Sequence, residues 1–502
     1  MSADATETEI KYDVPAGADL PALDDLPEVA RTLGPALEQL EAEYYDTDDL
    51  RLIRAGVTLR RRRGGDDAGW HLKLPTGPDS RREVRLPIEL PAQRIPDELA
   101  ALVQVHTRGR PLRPVAQLTT TRQRLTLLGG GGESLAEVVA DDVRAQTLGA
   151  QTSVSSWHEV EVELTGGDRA LLDAADELLR RDGLRPAGRS AKLERALGGR
   201  LGKPAAPPPL SAASPAGEVV LAYLAAHAGR LKSLDPLVRR DEPDAVHQMR
   251  VATRRLRSTL RSFEQILHPD GTGRLGGELK WLGTMLGAVR DAEVLLAHLQ
   301  KAIDDEPLEL VLGPVQARVQ GHYASAQADA RREMLAALDS ARYFSLLDDL
   351  DALLTAPPLT PLADRPADEV LPAAARRPSS QVRHRMRRAR RAQPGTARDA
   401  ALHEARKAAK RARYAGEAIS PALGKPASKF AARMKKVQSV LGDHQNTVIA
   451  RQAERELGIG AHRAGENAFS YGLLYGRDAC EGQRLQARAR RAWKRAHKKL
   501  TW

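Results

Sequence analysis

Two patterns of apolar spacing divide the chain. Up to about residue 200, short runs alternate apolar with polar or charged residues and are separated by turn residues. They are Glu7–Val14, Thr58–Arg62, Trp70–Leu74, Arg82–Leu90, Leu118–Leu128, Ala136–Val143 and Trp157–Leu164. Period two is the period of a strand with one face in a core, so these runs predict strands. Two stretches, Asp25–Ala42 and Asp168–Asp182, read as helices between them. From about residue 217 the apolar positions recur at helical spacing in long Ala-, Leu- and Arg-rich stretches, with no predicted strand. The Pro-, Ala- and Ser-rich segment Gly202–Pro215 between the two regions reads as an extended linker. A second Pro-rich break, Ala356–Pro361, cuts the helical region into halves, each long enough for a helical bundle. The expected domains are 1–200, a linker at 201–216, and 217–500, the last in two repeats near 217–355 and 367–500.

The two halves repeat one another. His247-Gln-Met-Arg250-Val-Ala-Thr-Arg254-Arg255-Leu-Arg257 recurs 156 residues on as His403-Glu-Ala-Arg406-Lys407-Ala-Ala-Lys410-Arg411-Ala-Arg413. Leu286-Gly-Ala-Val-Arg290-Asp291 recurs at nearly the same offset as Leu441-Gly-Asp443-His444-Gln-Asn446. Two landmarks in register mark an internal duplication. On a helix, positions 247, 250, 254, 257 and 261 stack one His and four Arg on one face. Such a face repels itself and is tolerable only in water or against a dense anion.

Charge and composition narrow the partner. The chain has 502 residues, 77 Lys+Arg against 66 Asp+Glu and a formal net charge of +11, which suits a polyanion. Only 4% of residues are aromatic. Single-strand nucleic-acid binders stack bases on aromatic rings, so this poverty favours a ligand made of phosphate alone over a single strand; a duplex, whose backbone needs no stacking, stays as a less favoured alternative partner of the basic helices. The one cysteine, Cys480, excludes a disulfide framework or a cysteine-rich zinc site and suits a reducing cytoplasm. The N-terminal segment is acidic without an apolar core and does not read as a signal peptide; no run is long enough to span a membrane. The Ala- and Arg-rich usage fits a GC-rich bacterial genome.

The strands of the first region share a further feature. Glu7, Glu9 and Lys11 lie on one face of their strand, as do Arg60 and Arg62, Arg81, Glu83 and Arg85, Arg122 and Arg124, and Glu159, Glu161 and Glu163. Lys73 sits in Trp70-His-Leu-Lys-Leu. Mixed charge on one face, strand after strand, implies a barrel with its charged face inward. Small barrels normally fill their interiors with apolar side chains, and unpaired buried charge is costly, so such an interior needs a charged ligand. Arg and Lys bind phosphate oxygens. Acidic residues among them would repel phosphate unless they hold divalent cations such as Mg²⁺ or Mn²⁺. The combination suits metal-dependent phosphoryl chemistry.

These motifs resemble the CYTH superfamily, the triphosphate tunnel metalloenzymes. The resemblance rests on Glu7-x-Glu9-x-Lys11, on Tyr44-Tyr-Asp46-Thr47-x-Asp49 followed by Gly56-x-x-Leu59-Arg60-x-Arg62, on Glu159-Val-Glu161-Val-Glu163-Leu, and on Ser190-Ala-Lys192-Leu, across roughly residues 5–200. It implies an eight-stranded antiparallel tunnel that binds triphosphates with Mg²⁺ or Mn²⁺. It further implies metal ligation by Glu7, Glu9 and members of Glu159, Glu161 and Glu163, with Glu83 and Asp141 completing the acidic set. Which two of the three late glutamates act stays open. Lys11, Arg60, Arg62, Lys73, Arg122, Arg124 and Lys192 would hold phosphate oxygens, with Glu7, Glu9, Lys11, Arg60 and Arg62 as the catalytic set.

The duplicated motif, Asp244-x-x-His247-x-x-Arg250-Val-x-x-Arg254-Arg255-Leu-Arg257 and His403 to Tyr414, resembles the CHAD domain, the conserved-histidine α-helical domain. That resemblance spans about 217–500. It implies a pair of four-helix bundles whose basic surface binds inorganic polyphosphate through His247, Arg250, Arg254, Arg255, Arg257, Arg290, His403, Arg406, Lys407, Lys410, Arg411 and Arg413. The expected fold is thus α+β in two domains, a β-tunnel and an all-α double bundle. The expected function is metal-dependent hydrolysis of tripolyphosphate or short polyphosphate in the cytoplasm, with the helical domain recruiting substrate or holding the protein at polyphosphate granules. The alternatives are a non-catalytic polyphosphate-binding granule protein and an organic triphosphate enzyme, either a thiamine triphosphatase or an adenylate cyclase.

Overall fold

The computed structural model describes residues 3–15, 20–77, 80–89, 94–149, 152–187, 191–201 and 209–497, with side chains from residue 8 onward. Linker residues 202–208, Ser190, Leu90 and the side chain of Glu7 therefore lie outside the described set. The chain divides into two compact units, Met1–Ala206 and Pro207–Trp502.

The first unit runs β1 (Ala3–Val14), β2 (Arg31–Asp46), α1 (Arg51–Arg54), β3 (Thr58–Arg63), β4 (Gly69–Pro75), β5 (Ser80–Leu86), α2 (Asp97–Thr107), β6 (Arg113–Leu128), β7 (Ser134–Thr147), β8 (Val154–Leu164), α3 (Arg169–Arg181), β9 (Arg185–Pro186), α4 (Lys192–Ala196) and α5 (Gly198–Leu201). The strand order is β5-β4-β3-β2-β6-β7-β8-β1, and β1 pairs back onto β5. β1 achieves the closure by changing partner along its length: Ala3–Thr8 pairs with β5 and Glu9–Val14 with β8. The result is an eight-stranded antiparallel barrel, as expected from the sequence.

Period-two alternation turns this barrel inside out relative to a small apolar-filled one. Its outer apolar face is covered by helices. Leu59, Leu72 and Val84 lie against Leu99, Leu102 and Val103 of α2. Tyr12, Val160 and Val162 lie against Leu171, Leu172 and Leu179 of α3. The charged face is left to the interior. One end of that interior is plugged by Leu193 and Leu197 beside Val143, Ala145 and Trp157. α3 matches the helix predicted at Asp168–Asp182, with Asp168 accepting from the backbone N–H groups of Ala170 and Leu171.

The helix predicted at Asp25–Ala42 is a correction: Arg31–Asp46 forms β2. Gly34-Pro35 interrupts the helical pattern, because an interior proline removes a backbone donor and clashes with the preceding turn. In β2 that pair falls at a register shift between Leu33 and Ala36, where a strand tolerates it. β2 bonds β6 on one side and β3 on the other. Closing the barrel therefore overrides the helix preference of its Ala, Leu and Glu residues.

The second unit is all helix apart from isolated bridges: α6 (Ala216–Arg239), α7 (Ala245–Ser262), α8 (Pro269–Asp304), α9 (Val315–Leu338), α10 (Ala341–Thr355), α11 (Ala367–Arg391), α12 (Thr396–Leu423), α13 (Lys425–Arg463) and α14 (Phe469–His497). The duplication aligns α7 and α8 with α12 and α13, and α10 is an addition to the first half. The repeated Leu-Gly pair acquires a physical reason. Leu286 and Leu441 are buried. At Gly287 a Cβ would stand 3.3 Å from the Arg250 guanidinium, and at Gly442 one would stand 3.5 Å from that of Arg406. In each half the arginine of the His-x-x-Arg motif lies across the glycine of the next helix, with least space to spare at Gly287.

One buried acid pair sets a pH dependence. Glu454 of α13 is fully buried beside Asp478 of α14, which lies 2.8 Å from His298 of α8. Burial, then the Asp478 charge, pushes the Glu454 carboxyl up to about 8. The folded unit then holds a proton that the unfolded chain releases near its ordinary value of about 4.3. The associated stability is present below that value and lost as pH rises through about 8, at up to about 1.4 kcal/mol per pH unit. Thermal melts between pH 5 and 8 should show the helical unit weakening, and Glu454→Gln should flatten that fall.

Candidate functional site

The barrel encloses a cavity of about 460 Å³ whose lining includes nine Lys or Arg side chains and eight Asp or Glu side chains. They are segregated by strand. Arg60 and Arg62 come from β3, Lys73 from β4, and Arg122 and Arg124 from β6; Glu9 and Lys11 come from β1, Glu137 from β7, and Glu161 and Glu163 from β8. Basic residues thus predominate on β3, β4 and β6 and acidic ones on β7 and β8, with Glu38 of β2 between β3 and β6 and mixed charge on β1 and β5. Strand register makes the pairs: Glu9 stands opposite Glu163 and Lys11 opposite Glu161 on β1 and β8, and Arg122 stands opposite Asp141 on β6 and β7.

Below the acidic wall, one oxygen each of Asp141, Glu159 and Glu161 lie within 4.8 Å of one another. The Lys192 ammonium sits among them, 2.9 Å from Asp141, 2.6 Å from Glu159 and 2.5 Å from Glu161. α4 begins at Lys192, and buried Leu193 and Leu197 anchor it in the apolar plug. Lys11 adds a second cation, 2.6 Å from Glu161 and 3.1 Å from Glu9. Burial opposes charge on Glu161, but Lys11, Lys192 and Arg122 outweigh it and hold the carboxyl well below its ordinary range. Asp141 is likewise held low against its burial, by Lys192 and a two-pronged bond from Arg122 at 2.8 and 2.7 Å. Glu159 goes the other way: its burial dominates, the Glu161 charge adds to it, and the carboxyl is raised.

The basic wall is under opposite strain. Burial and then the charges of Arg60 and Arg122 bring Arg62 down to about 9. The Tyr44 hydroxyl, which accepts from Arg60 at 3.2 Å, is pulled below the ordinary phenol value despite its burial. Both shifts report a positive potential that an anion would relieve.

Of the residues expected from sequence, Glu9, Lys11, Arg60, Arg62, Lys73, Glu83, Arg122, Arg124, Glu161, Glu163 and Lys192 line this cavity. Asp141 and Glu159 lie buried at its edge with Glu161. Glu7 is in β1. Glu83 is fully buried, held by His71 at 2.9 Å and by Arg85, with Arg60 and Lys73 each at 3.9 Å. Glu38, Asp66, Asp67 and Glu137 also line the cavity and were not anticipated. Glu137 could have been found from its alternation with Asp141; Glu38 was hidden by the helix reading of β2. The Asp46 of the family motif is structural: it accepts from the backbone N–H groups of Leu52 and Ile53 at 2.9 and 3.0 Å and so caps α1.

In the helical unit the duplicated motifs lie on α7 and α12 and bring Arg250, Arg254, Arg406 and Lys410 within electrostatic reach of one another. Their neutralisation differs. Arg250 bonds Asp291 at 2.7 Å, Arg290 bonds Glu293 at 3.0 Å and Lys407 bonds Glu404 at 2.8 Å. Arg255 and Arg413 pair with Glu417, at 2.9 and 2.6 Å, and each lies over the Tyr414 ring, 5.5 and 5.6 Å from its centroid. Arg254, Arg406 and Lys410 have no carboxylate partner among the described residues. Burial, then the Arg254, Arg406 and Arg250 charges, brings Lys410 down to about 6. Burial is also the leading influence lowering His247 and His403.

A closed antiparallel tunnel with opposed basic and acidic walls, joined to a duplicated basic helical unit, defines a class. A family model described as CYTH domain matches residues 5–192 and one described as CHAD domain matches residues 222–454. The Mycobacterium tuberculosis H37Rv protein named "Uncharacterized protein Rv2226" is 38% identical over 509 residues, 98% of this chain and 96% of its own. PptA from Streptomyces chartreusis aligns with 22% identity and a TM-score of 0.48, over 56% of this chain and 100% of its own. The CHAD domain from the plant Ricinus communis aligns with 30% identity and a TM-score of 0.44, over 56% of this chain and 93% of its own. The chain belongs to the family in which a CYTH domain is followed by a CHAD domain. Its first unit is of the tunnel-metalloenzyme kind, whose members act on triphosphates. Among the described residues no helix is long and apolar enough to cross a membrane.

Proposed function

We propose that the tunnel hydrolyses a short inorganic polyphosphate, tripolyphosphate foremost, and that the helical unit binds inorganic polyphosphate. The observation that carries this reading is the lining of the cavity. Among the described residues it is almost wholly charged, and the one aromatic ring that lines it, Tyr44, has its hydroxyl engaged by Arg60. It offers cations for phosphate and no apolar shelf for a base or thiazolium ring.

The carboxylates fit a hard divalent cation. Asp141, Glu159 and Glu161 provide oxygen donors only, and the Lys192 ammonium already occupies a cation position among them. These three, with Glu9 and Glu163 facing the cavity, would hold Mg²⁺ or Mn²⁺. When bound, such an ion withdraws charge from the transferred phosphoryl group and lowers the pKa of water. Arg60, Arg62, Lys73, Arg122 and Arg124 take the phosphate oxygens and fix the chain's register. Lys11 and Lys192 neutralise the acidic wall so that a polyanion can approach it. Water attacks the terminal phosphorus, the bond to the bridging oxygen breaks, and phosphate and pyrophosphate leave. A binding-only protein would need the cations but not the carboxylates opposite them, which disfavours a purely structural role.

In the helical unit, Arg254, Arg406 and Lys410 form the centre of the polyphosphate-binding face. Tethering this face to the tunnel raises the effective concentration of a shared ligand and would also hold the protein at polyphosphate granules. Rates on tripolyphosphate, ATP and thiamine triphosphate test the substrate reading. The kcat/KM for tripolyphosphate should exceed the others roughly tenfold or more; a preference for ATP would replace it with the organic-triphosphate alternative.

A further inference from the structure

The duplication is not electrically symmetric. Residues 217–355 hold 17 Lys or Arg and 20 Asp or Glu, a formal charge of −3; residues 367–500 hold 31 and 11, a formal charge of +20. The basic character of the whole protein therefore belongs to the second half of the helical unit.

The asymmetry begins at the centre. Asp291, which pairs with Arg250, is matched in the second copy by Asn446, and Arg406 makes no ion pair of its own among the described residues, the more distant Asp291 being the carboxylate whose charge it feels. It continues outward. In the first half several cations are paired within the fold, Arg274 with Asp349 at 2.8 Å, Arg342 with Glu278 at 2.6 Å and Arg331 with Asp241 at 2.8 Å, while Arg257 and Arg261 of α7 are exposed and make no ion pair among the described residues. In the second half a continuous path leads off the central face. Arg411 of α12 feels the charges of Arg261 and Arg257 from α7 and of Arg385 from α11, offset in part by Glu404 of its own helix, and it donates to Gln381 of α11 at 3.0 Å. Gln381, Arg385 and Arg388 fall at i, i+4 and i+7, so they share one face of α11. Arg388 is exposed, and neither Arg385 nor Arg388 makes an ion pair among the described residues, with Glu404 the acid within electrostatic reach of Arg385.

Building on the polyphosphate-binding reading above, we infer that a long polyphosphate chain leaves the central face in one direction only, over the second half along Arg411, Arg385 and Arg388. The first half, whose formal charge is −3, gives the chain far fewer cations to follow. The bound polymer thus has a fixed course across the domain, and long chains gain contacts that short ones cannot reach.

The test uses the full-length protein, with size-fractionated short and long polyphosphate as probes. The double variant Arg385→Ala/Arg388→Ala should weaken long-chain binding by roughly tenfold, lower the slope of log affinity against log salt by about 2, and leave short-chain binding unchanged. Arg274→Ala/Arg342→Ala, in the first half, should change neither. Equal affinity of the α11 variant and wild type for the long chain would overturn the inference, as would equal weakening by the first-half variant. If Arg406→Ala still abolished short-chain binding in that case, the central face would stand. Short-chain binding that survives Arg406→Ala would instead remove the underlying reading, and the inference with it. A loss confined to DNA duplex binding would assign the α11 surface to nucleic acid and likewise overturn it.

Discussion

Glu161→Gln is expected to lower tripolyphosphate hydrolysis by roughly 10²- to 10³-fold or more, the scale seen when one preorganised electrostatic group is removed from an active site. Glu161 joins the two parts of the acidic wall. One of its oxygens lies in the cluster with Asp141 and Glu159, and the same side chain lines the cavity and pairs with Lys11. The amide keeps the shape but gives up the charge that both lysines and a divalent cation need. The loss should appear in kcat/KM under saturating metal, with the circular-dichroism spectrum of the barrel retained. A Glu161→Gln enzyme within a few-fold of wild type would take Glu161 out of the machinery.

Lys192→Met should produce the largest loss of stability. Lys192 compensates three carboxylates at 2.5–2.9 Å, and all three are largely buried. Breaking a buried ionic cluster by deleting one side leaves uncompensated charge, at a cost of about 3–5 kcal/mol. Two further changes distinguish this cause from lost packing. Divalent cation should stabilise the variant more than the wild type, because ligand binding to the folded state alone adds stability by mass action. Acid should also act in opposite directions. In the wild type, Asp141 and Glu161 are held below their ordinary range. Their contribution is present above about pH 4 and lost as pH falls further. Without Lys192 the crowded carboxylates are raised, so the variant should gain stability as pH falls toward 5. Denaturant midpoints with and without Mg²⁺, at pH 5 and 7.5, measure all three effects. A variant that is insensitive to both metal and acid would mean that Lys192 serves only as packing.

Much of the tunnel was legible because period-two alternation is strict there. Glu9 and Lys11 and the β8 glutamates alternate with apolar residues, Arg60 and Arg62 and Arg122 and Arg124 recur at the same period two, and all reach the interior or its edge. β2 was not legible: its Ala, Leu and Glu residues favour helix, and only pairing with β3 and β6, distant in sequence, makes it a strand. That error concealed Glu38. Asp66 and Asp67 were missed because they lie in the turn between β3 and β4, where no periodicity points inward. In the helical unit the repeated basic faces were readable from spacing. Their division into neutralised and free cations was not, because it depends on partners such as Glu417, which is 162 residues from Arg255. The role of Gly287 and Gly442 likewise needed the neighbouring helix in place.

The central claim, that the tunnel is a metal-dependent triphosphatase, is tested most directly by following phosphate and pyrophosphate release from tripolyphosphate by the wild-type protein, in chelator and then with added Mg²⁺ or Mn²⁺. The account predicts no release in chelator and, with metal, phosphate and pyrophosphate in equal amounts. Release that is indifferent to metal, or no release with either ion, would contradict it.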